Sequence, residues 1–176
     1  TFGTSTKFTG AAGVWSDGAF TNNTWTQAFT HDGTAEQVNA ELASVASSSG
    51  ATDLVGNADV GDDSPAFVLD TQAPTTTVTI NTNPINLGNL AQTVTVTYDE
   101  AMNPATSPTI TFTSTKFTGA AGAWSDGAFT NNIWTQVFTH DGTVEEIAAD
   151  LASVAASGAQ DLVGLDESGD NSPNFV

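Results

Sequence analysis

The residues best equipped for chemistry in this chain are its carboxylates. Asp and Glu number 20 against two lysines, Lys7 and Lys116, which leaves a formal charge of −18. Carboxylate oxygens are hard ligands, and several converging from separate loops suit Ca²⁺, which takes about 6–8 oxygens in flexible geometry. The candidate ligands are Asp32, Glu36, Asp70, Asp99, Glu100, Asp161, Asp166 and Asp170, with Glu167 in the same segment as the last two. No D-x-[DN]-x-[DN]-G loop is present, so an EF-hand is not the pattern. The competing reading is a solvated acidic surface. Two carboxylates can also form a glycosidase pair, but acids repeated in tandem without a large loop to shape a cleft do not suggest one.

The other reactive types are sparse. Lys7 and Lys116 occupy matching places in a repeated segment. A lysine among strands could form an isopeptide bond, but an ordinary exposed lysine beside acids is the expectation. His31 and His140 each precede Asp-Gly, which reads as a surface residue beside a turn rather than a base. No serine sits in a context that specifies a Ser-His-Asp order. Thr75, Thr77, Thr79, Thr93, Thr95, Thr97, Thr109, Thr111 and Thr113 alternate with apolar residues. Such rows keep an exposed strand face polar, and ice binding is not expected of twisted sheets.

With almost no cationic residues the chain cannot neutralise phosphates, which speaks against nucleic-acid binding, and it lacks the basic clusters that dock on anionic membranes. No run of 18 apolar residues occurs, so no membrane-inserting helix is expected. The chain has no Cys, which removes disulfides and thiolate metal sites. A signal peptide, if there is one, is expected outside this stretch.

These residues are carried on a repeat. Residues 4–48 return as 113–157, and residues 50–68 as 158–176, with 48 of 64 aligned positions identical. A period just over 100 residues fits whole small domains in tandem rather than solenoid turns. The expected organisation is a partial repeat over residues 1–69, lacking its first two strands, and a complete repeat over 70–176. Either the 176 residues are a window on a longer chain, which is the preferred reading, or neighbouring molecules supply the missing strands by strand exchange.

Residues 75–80 and 92–98 alternate Thr with Val, Ile or Tyr, the period of half-buried strands. Val78 and Ile80 share one face, as do Val94, Val96 and Tyr98. Residues 109–117 continue the pattern with Ile110 and Phe112 inward. Residues 123–130 and 133–140 form a pair joined at Asn131-Asn132, since Asn tolerates the positive φ of such turns. Trp124, Phe129, Trp134 and Phe138 supply core bulk. Thr143-Val144-Glu145-Glu146, matched by Thr34-Ala35-Glu36-Gln37, has the form of a capping box and predicts a short helix between the fifth and sixth strands. The whole describes an all-β sandwich of about seven strands.

Three segments, Asp-Thr-Gln-Ala-Pro at 70–74, Val-Thr-Tyr-Asp-Glu-Ala-Met-Asn-Pro at 96–104, and Asp-Leu-Val-Gly at 53–56 and 161–164, resemble tandem bacterial immunoglobulin-like repeats of giant secreted adhesins of the repeats-in-toxin type. The resemblance spans the whole period. It implies immunoglobulin-like Greek-key sandwiches on a bacterial cell surface, acting as extender or adhesive modules and often stabilised by calcium. In such a sandwich Asp70, Asp99, Glu100 and Asp161 gather at one pole with Asp166, Glu167 and Asp170. Asp32 and Glu36 lie at the far pole of the preceding repeat and face the joint. Leu165 stands where the first copy has Asn57, so a ligand role at that position is not general. The expectation is a non-enzymatic stalk or filament segment stiffened by calcium at its joints. Its partners are adjacent copies of the repeat, with neighbouring identical chains as a variant. The alternative is a glycan- or protein-binding module using Trp15 and Trp25 with Trp124 and Trp134, which burial of those rings would disfavour.

Overall fold

The computed structural model describes residues 1–81 and 84–176. The chain is all-β, with several antiparallel sheets and no helix among the described residues. It divides into two compact units, Thr1–Gln72 and Ala73–Val176.

In the second unit, Ala91–Tyr98 is flanked by Thr76–Ile80 on one side and Ile133–His140 on the other. Phe117–Gly119 and Ala123–Ser125 pair in turn with Ile133–His140, which completes a five-stranded sheet. A second sheet joins Ile110–Phe112, Ala152–Val154 and Asp170–Asn171. The Thr/Val alternation sends Val78, Val94, Val96 and Tyr98 to one face, where they meet Trp134 and Phe138 of the same sheet and Ala152 and Val154 of the other. The threonines between them leave the outer face polar, as period 2 requires. Phe112 stacks on Phe117 with centroids 4.3 Å apart and meets Phe138 edge-on. Trp134 packs against the backbone of Gly122 so closely that a Cβ there would lie 2.2 Å from the indole, a close approach that only glycine permits.

Three sequence expectations need correction. The capping box does not start a helix: residues 143–147 belong to no helix or strand, and their counterparts in the first unit enter strand Gln37–Glu41, which pairs with Phe67–Asp70. Glu145, which a helix would leave on its surface, instead accepts a hydrogen bond from Ser114 Oγ and meets His140. These contacts and the strand pairing override a local signal that is weak in isolation. Residues 109–117 are not one strand. Asp150 Oδ1 accepts the Thr113 and Ser114 N–H groups, and the chain passes from one sheet to the other there. The strand opening at Ala123 ends at Ser125, and Asn131 takes the positive φ of 52° in the following turn, tied by its N–H to Asp126.

The first unit repeats these elements without counterparts of Thr76–Ile80 and Ala91–Tyr98. Phe8–Gly10 pairs with Phe29–His31, Val14–Ser16 with Thr24–Thr26, and Ser44–Val45 with Asp62–Asp63. Phe2 stacks on Phe8 as Phe112 stacks on Phe117. Trp25 is 49% exposed and Trp134 only 9%. Trp134→Ala should therefore destabilise its unit by about 3–5 kcal/mol, the usual cost of emptying a core aromatic site, and Trp25→Ala by less than about 1 kcal/mol. Denaturant unfolding followed by hydrogen exchange in each unit checks this, and equal costs would contradict the burial difference.

Candidate metal centre

Asp161 opens the turn that ends at Leu165. Its Oδ1 accepts the N–H groups of Val163, Gly164 and Leu165 at 2.8, 2.7 and 2.9 Å, and Gly164 supplies the positive φ of 93° that closes the turn. An isolated bridge between Met102 and Asp161 sets this turn beside the segment that carries Glu100. Both acids are buried, Asp161 at 1% exposure and Glu100 at 6%. A carboxylate oxygen of each lies within 4.8 Å of the other. Two negative charges at that separation repel by about 3 kcal/mol at an effective dielectric of about 20. Asp161 Oδ2 is buried without a hydrogen-bond partner, which is costly for a charged oxygen. A hard cation there would remove both penalties.

The first unit offers an internal comparison. Asp53 Oδ1 accepts from the Val55 and Asn57 N–H groups in the same turn, and Asn57 Nδ2 donates to Asp53 Oδ2 at 2.9 Å. Leu165 replaces that amide in the second unit. Asn57 thus serves as the internal partner of an aspartate rather than a ligand, and its replacement leaves the second oxygen of Asp161 open.

The other expected ligands are occupied differently. Asp99 Oδ1 accepts the Thr75 N–H, Asp166 Oδ1 the Gln160 amide, and Asp170 Oδ2 the Val78 N–H at a long 3.4 Å. Asp70 belongs to a strand of the first unit, where Gln37 Nε2 and the Gln72 N–H donate to it. Asp32 closes a turn by accepting the Thr34 N–H, and hydrogen bonding from Thr34 holds its carboxyl below the usual range. Glu167 Oε2 accepts the buried Tyr98 hydroxyl at 2.6 Å and its Oε1 the Ala159 N–H. Burial pushes the Glu167 carboxyl up, against the pull of Tyr98. Burial, followed by the Glu167 contact, pushes the Tyr98 hydroxyl up as well.

Glu36 is the hub of a network that appears in both units. Ser5 Oγ donates to its Oε1, His31 Nε2 meets the same oxygen at 2.8 Å, and Lys7 Nζ lies 3.6 Å from its Oε2. Ser114, His140, Lys116 and Glu145 repeat this in the second unit. His140 Nδ1 accepts the Gly142 N–H, so its ring proton sits on Nε2, facing Glu145. Neither histidine is an exposed surface residue as expected: His140 is buried, and His31 is half-buried. The carboxylate stands between serine and imidazole, so this is not the order in which a histidine activates a hydroxyl. Glu41 and Asp150 form a second recurring contact, each buried and accepting N–H groups from the segment around Ser5 or Ser114. The sequence singled out neither serine, nor Glu41 and Asp150, and marked Glu145 only as part of a capping box. The signal was the faithful return of Ser-Thr-Lys-Phe together with His-Asp-Gly-Thr-x-Glu.

These carboxylates respond to pH in opposite senses. The Ser114 hydrogen bond, then His140, holds Glu145 below the ordinary glutamate value of 4.5. Its stabilisation is present above that pH and fades as pH falls through the folded value. Glu167 is raised, so its contribution is full below about 4.5 and is lost as pH rises through its folded value. Glu167→Gln should therefore gain thermal stability relative to the parent as pH rises above 4.5, whereas the deficit of Glu145→Gln should shrink as pH falls below it. Melting curves between pH 3 and 8 test this, and pH-independent offsets in both variants would contradict it.

No protein-family model, curated protein or solved structure matches the chain.

Proposed function

We propose that the chain is a stretch of a stalk or filament in a large secreted bacterial surface protein, built of tandem immunoglobulin-like Greek-key sandwiches and stiffened by Ca²⁺. The observation that carries this reading is the buried Glu100–Asp161 pair with the open Asp161 Oδ2. A structural cation relieves that pair, and the role it serves is mechanical. Glu100 and Asp161 are the primary ligands. The repeated Ser–Glu–His–Lys networks support the same reading, because they spend the remaining reactive groups on holding strands together. Trp134 lies in the core of the complete unit, and Trp124 packs on it while donating to the Thr106 carbonyl. This favours a spacer over sugar stacking for the rings of the second unit, whereas Trp15 and Trp25 of the first unit are each 49% exposed.

Thermal unfolding of the chain in Ca²⁺, in excess chelator, and in Mg²⁺ at equal ionic strength tests the proposal. Ca²⁺ at about a hundredfold over its Kd adds about 2.7 kcal/mol, or about 10 °C for a unit of this size. Asp161→Asn keeps the Oδ1 acceptor for the three turn N–H groups and should fold, but it should lose the Ca²⁺-specific increment. A midpoint that tracks ionic strength alone would discard the calcium mechanism.

A further inference from the structure

The hairpin that joins Val14–Ser16 to Thr24–Thr26 has the same loop as its counterpart in the second unit. The loop reads Asp-Gly-Ala-Phe-Thr-Asn-Asn over residues 17–23 and again over 126–132. The next position differs: Thr24 follows Asn23, whereas Ile133 follows Asn132. Asn22-Asn23-Thr24 is therefore an Asn-x-Thr triplet, and no other asparagine of the chain has Ser or Thr two places on. That spacing is the acceptor pattern for N-linked glycosylation, which uses an asparagine amide on a surface loop.

The fold presents the triplet in that way. Asn22 takes a positive φ of 50°, as Asn131 does at 52°. The Asn22 N–H donates to Asp17 Oδ1 at 2.8 Å, and Asn131 repeats the bond to Asp126. The turn thus has one form in both units. Asn22 is exposed, and its side chain makes no hydrogen bond among the described residues. Asn132, by contrast, is buried and donates its amide to the Tyr98 carbonyl.

Phe20 is a second, independent pointer. It lies two residues ahead of Asn22 in the same loop, its carbonyl accepts the Gly18 N–H at 3.1 Å, and it is 77% exposed. Its counterpart Phe129, which the sequence suggests as core bulk, is also 48% exposed. A pyranose ring has a face of C–H groups that packs on an aromatic ring, so a sugar on Asn22 covers apolar surface that the fold leaves in water.

We infer that Asn22 is a glycosylation site, that it takes a neutral sugar from a sugar nucleotide, and that Phe20 is the platform for that sugar. In the transfer, Asn22 Nδ2 loses a proton to a base of the transferase and forms a C–N bond at the anomeric carbon. The C–O bond of the donor breaks, and its electron pair leaves with the nucleoside diphosphate. The Thr24 hydroxyl is the recognition group, and its only internal contact is a long one, 3.4 Å to Asn23 Oδ1. The inference rests on the surface location in the proposed function and not on its calcium.

The test incubates the full chain, in chelator, with UDP-glucose and a soluble transferase that recognises Asn-x-Ser/Thr. Intact mass and peptide mapping should show one added hexose, on Asn22, with Asn131 unmodified. Thr24→Val should lose it. The sugar should raise the unfolding midpoint by about 4 °C, the shift that one aromatic contact provides in a small unit, and Phe20→Ala should remove that rise. Absence of hexose from Asn22 in the parent, or equal transfer to Thr24→Val, would overturn the site. No rise in the parent, or a rise that survives Phe20→Ala, would overturn the platform. Because calcium is absent from the assay, its failure leaves the calcium mechanism standing.

Discussion

Strand Ala91–Tyr98 is the element on which the complete unit depends. It pairs on both edges, and its alternate residues Val94, Val96 and Tyr98 are almost wholly buried between the two sheets. In the first unit, the segment matching Ile133–His140 forms two short strands, Trp15 and Trp25 are each 49% exposed, and the sheets are pairs of strands. Antiparallel strands of two or three residues are marginal alone, so in the first unit side-chain ties carry much of the organisation. Glu41 collects the N–H groups of Gly3, Thr4 and Ser5, and Glu36 gathers Ser5, His31 and Lys7.

A formal charge of −18 is a constraint of a different kind. Self-repulsion disfavours compaction, and the chain answers it locally. Most of its carboxylates discussed above accept backbone N–H groups or side-chain donors, Asp32, Asp53 and Asp161 within their own turns and Glu41, Asp150 and Glu167 from distant segments, which makes them parts of turns and strand links. Glu100 and Asp161 differ because both are buried and close together. The contrast between Asp53 and Asp161 isolates the cause: one turn, repeated, with Asn57 satisfying an oxygen that Leu165 leaves open.

The strand pattern was legible because period 2 and period 3.6 differ sharply over Thr-Val-Thr-Val-Thr. Val78, Val94, Val96 and Tyr98 fall on the inward face that the alternation assigns them. The capping-box helix was a misreading because the local signal competes with tertiary partners that sequence does not display: Ser114 and His140 take Glu145, and Phe67–Asp70 takes Gln37–Glu41. Of the acids singled out, Glu100 and Asp161 meet in the second unit, a pairing set by the bridge at Met102 across almost 60 residues of chain. Asp99, Asp166 and Asp170 are drawn to separate N–H donors, a choice of partner that loop assignment alone does not resolve. The burial of His140 was equally hidden, since its position beside Asp-Gly gives no hint that Phe117 and Glu145 cover it.

On the proposed reading, one carboxylate oxygen, left open where Leu165 stands in place of an asparagine, creates the need for a cation. Calorimetric titration of the chain with Ca²⁺, in parallel with Leu165→Asn, tests this directly. The introduced amide should occupy Asp161 Oδ2 as Asn57 occupies Asp53 and weaken Ca²⁺ binding at least tenfold, while the parent binds Ca²⁺ at a defined stoichiometry that Mg²⁺ does not reproduce. Equal Ca²⁺ binding by both chains, or heat that follows ionic strength alone, would contradict it.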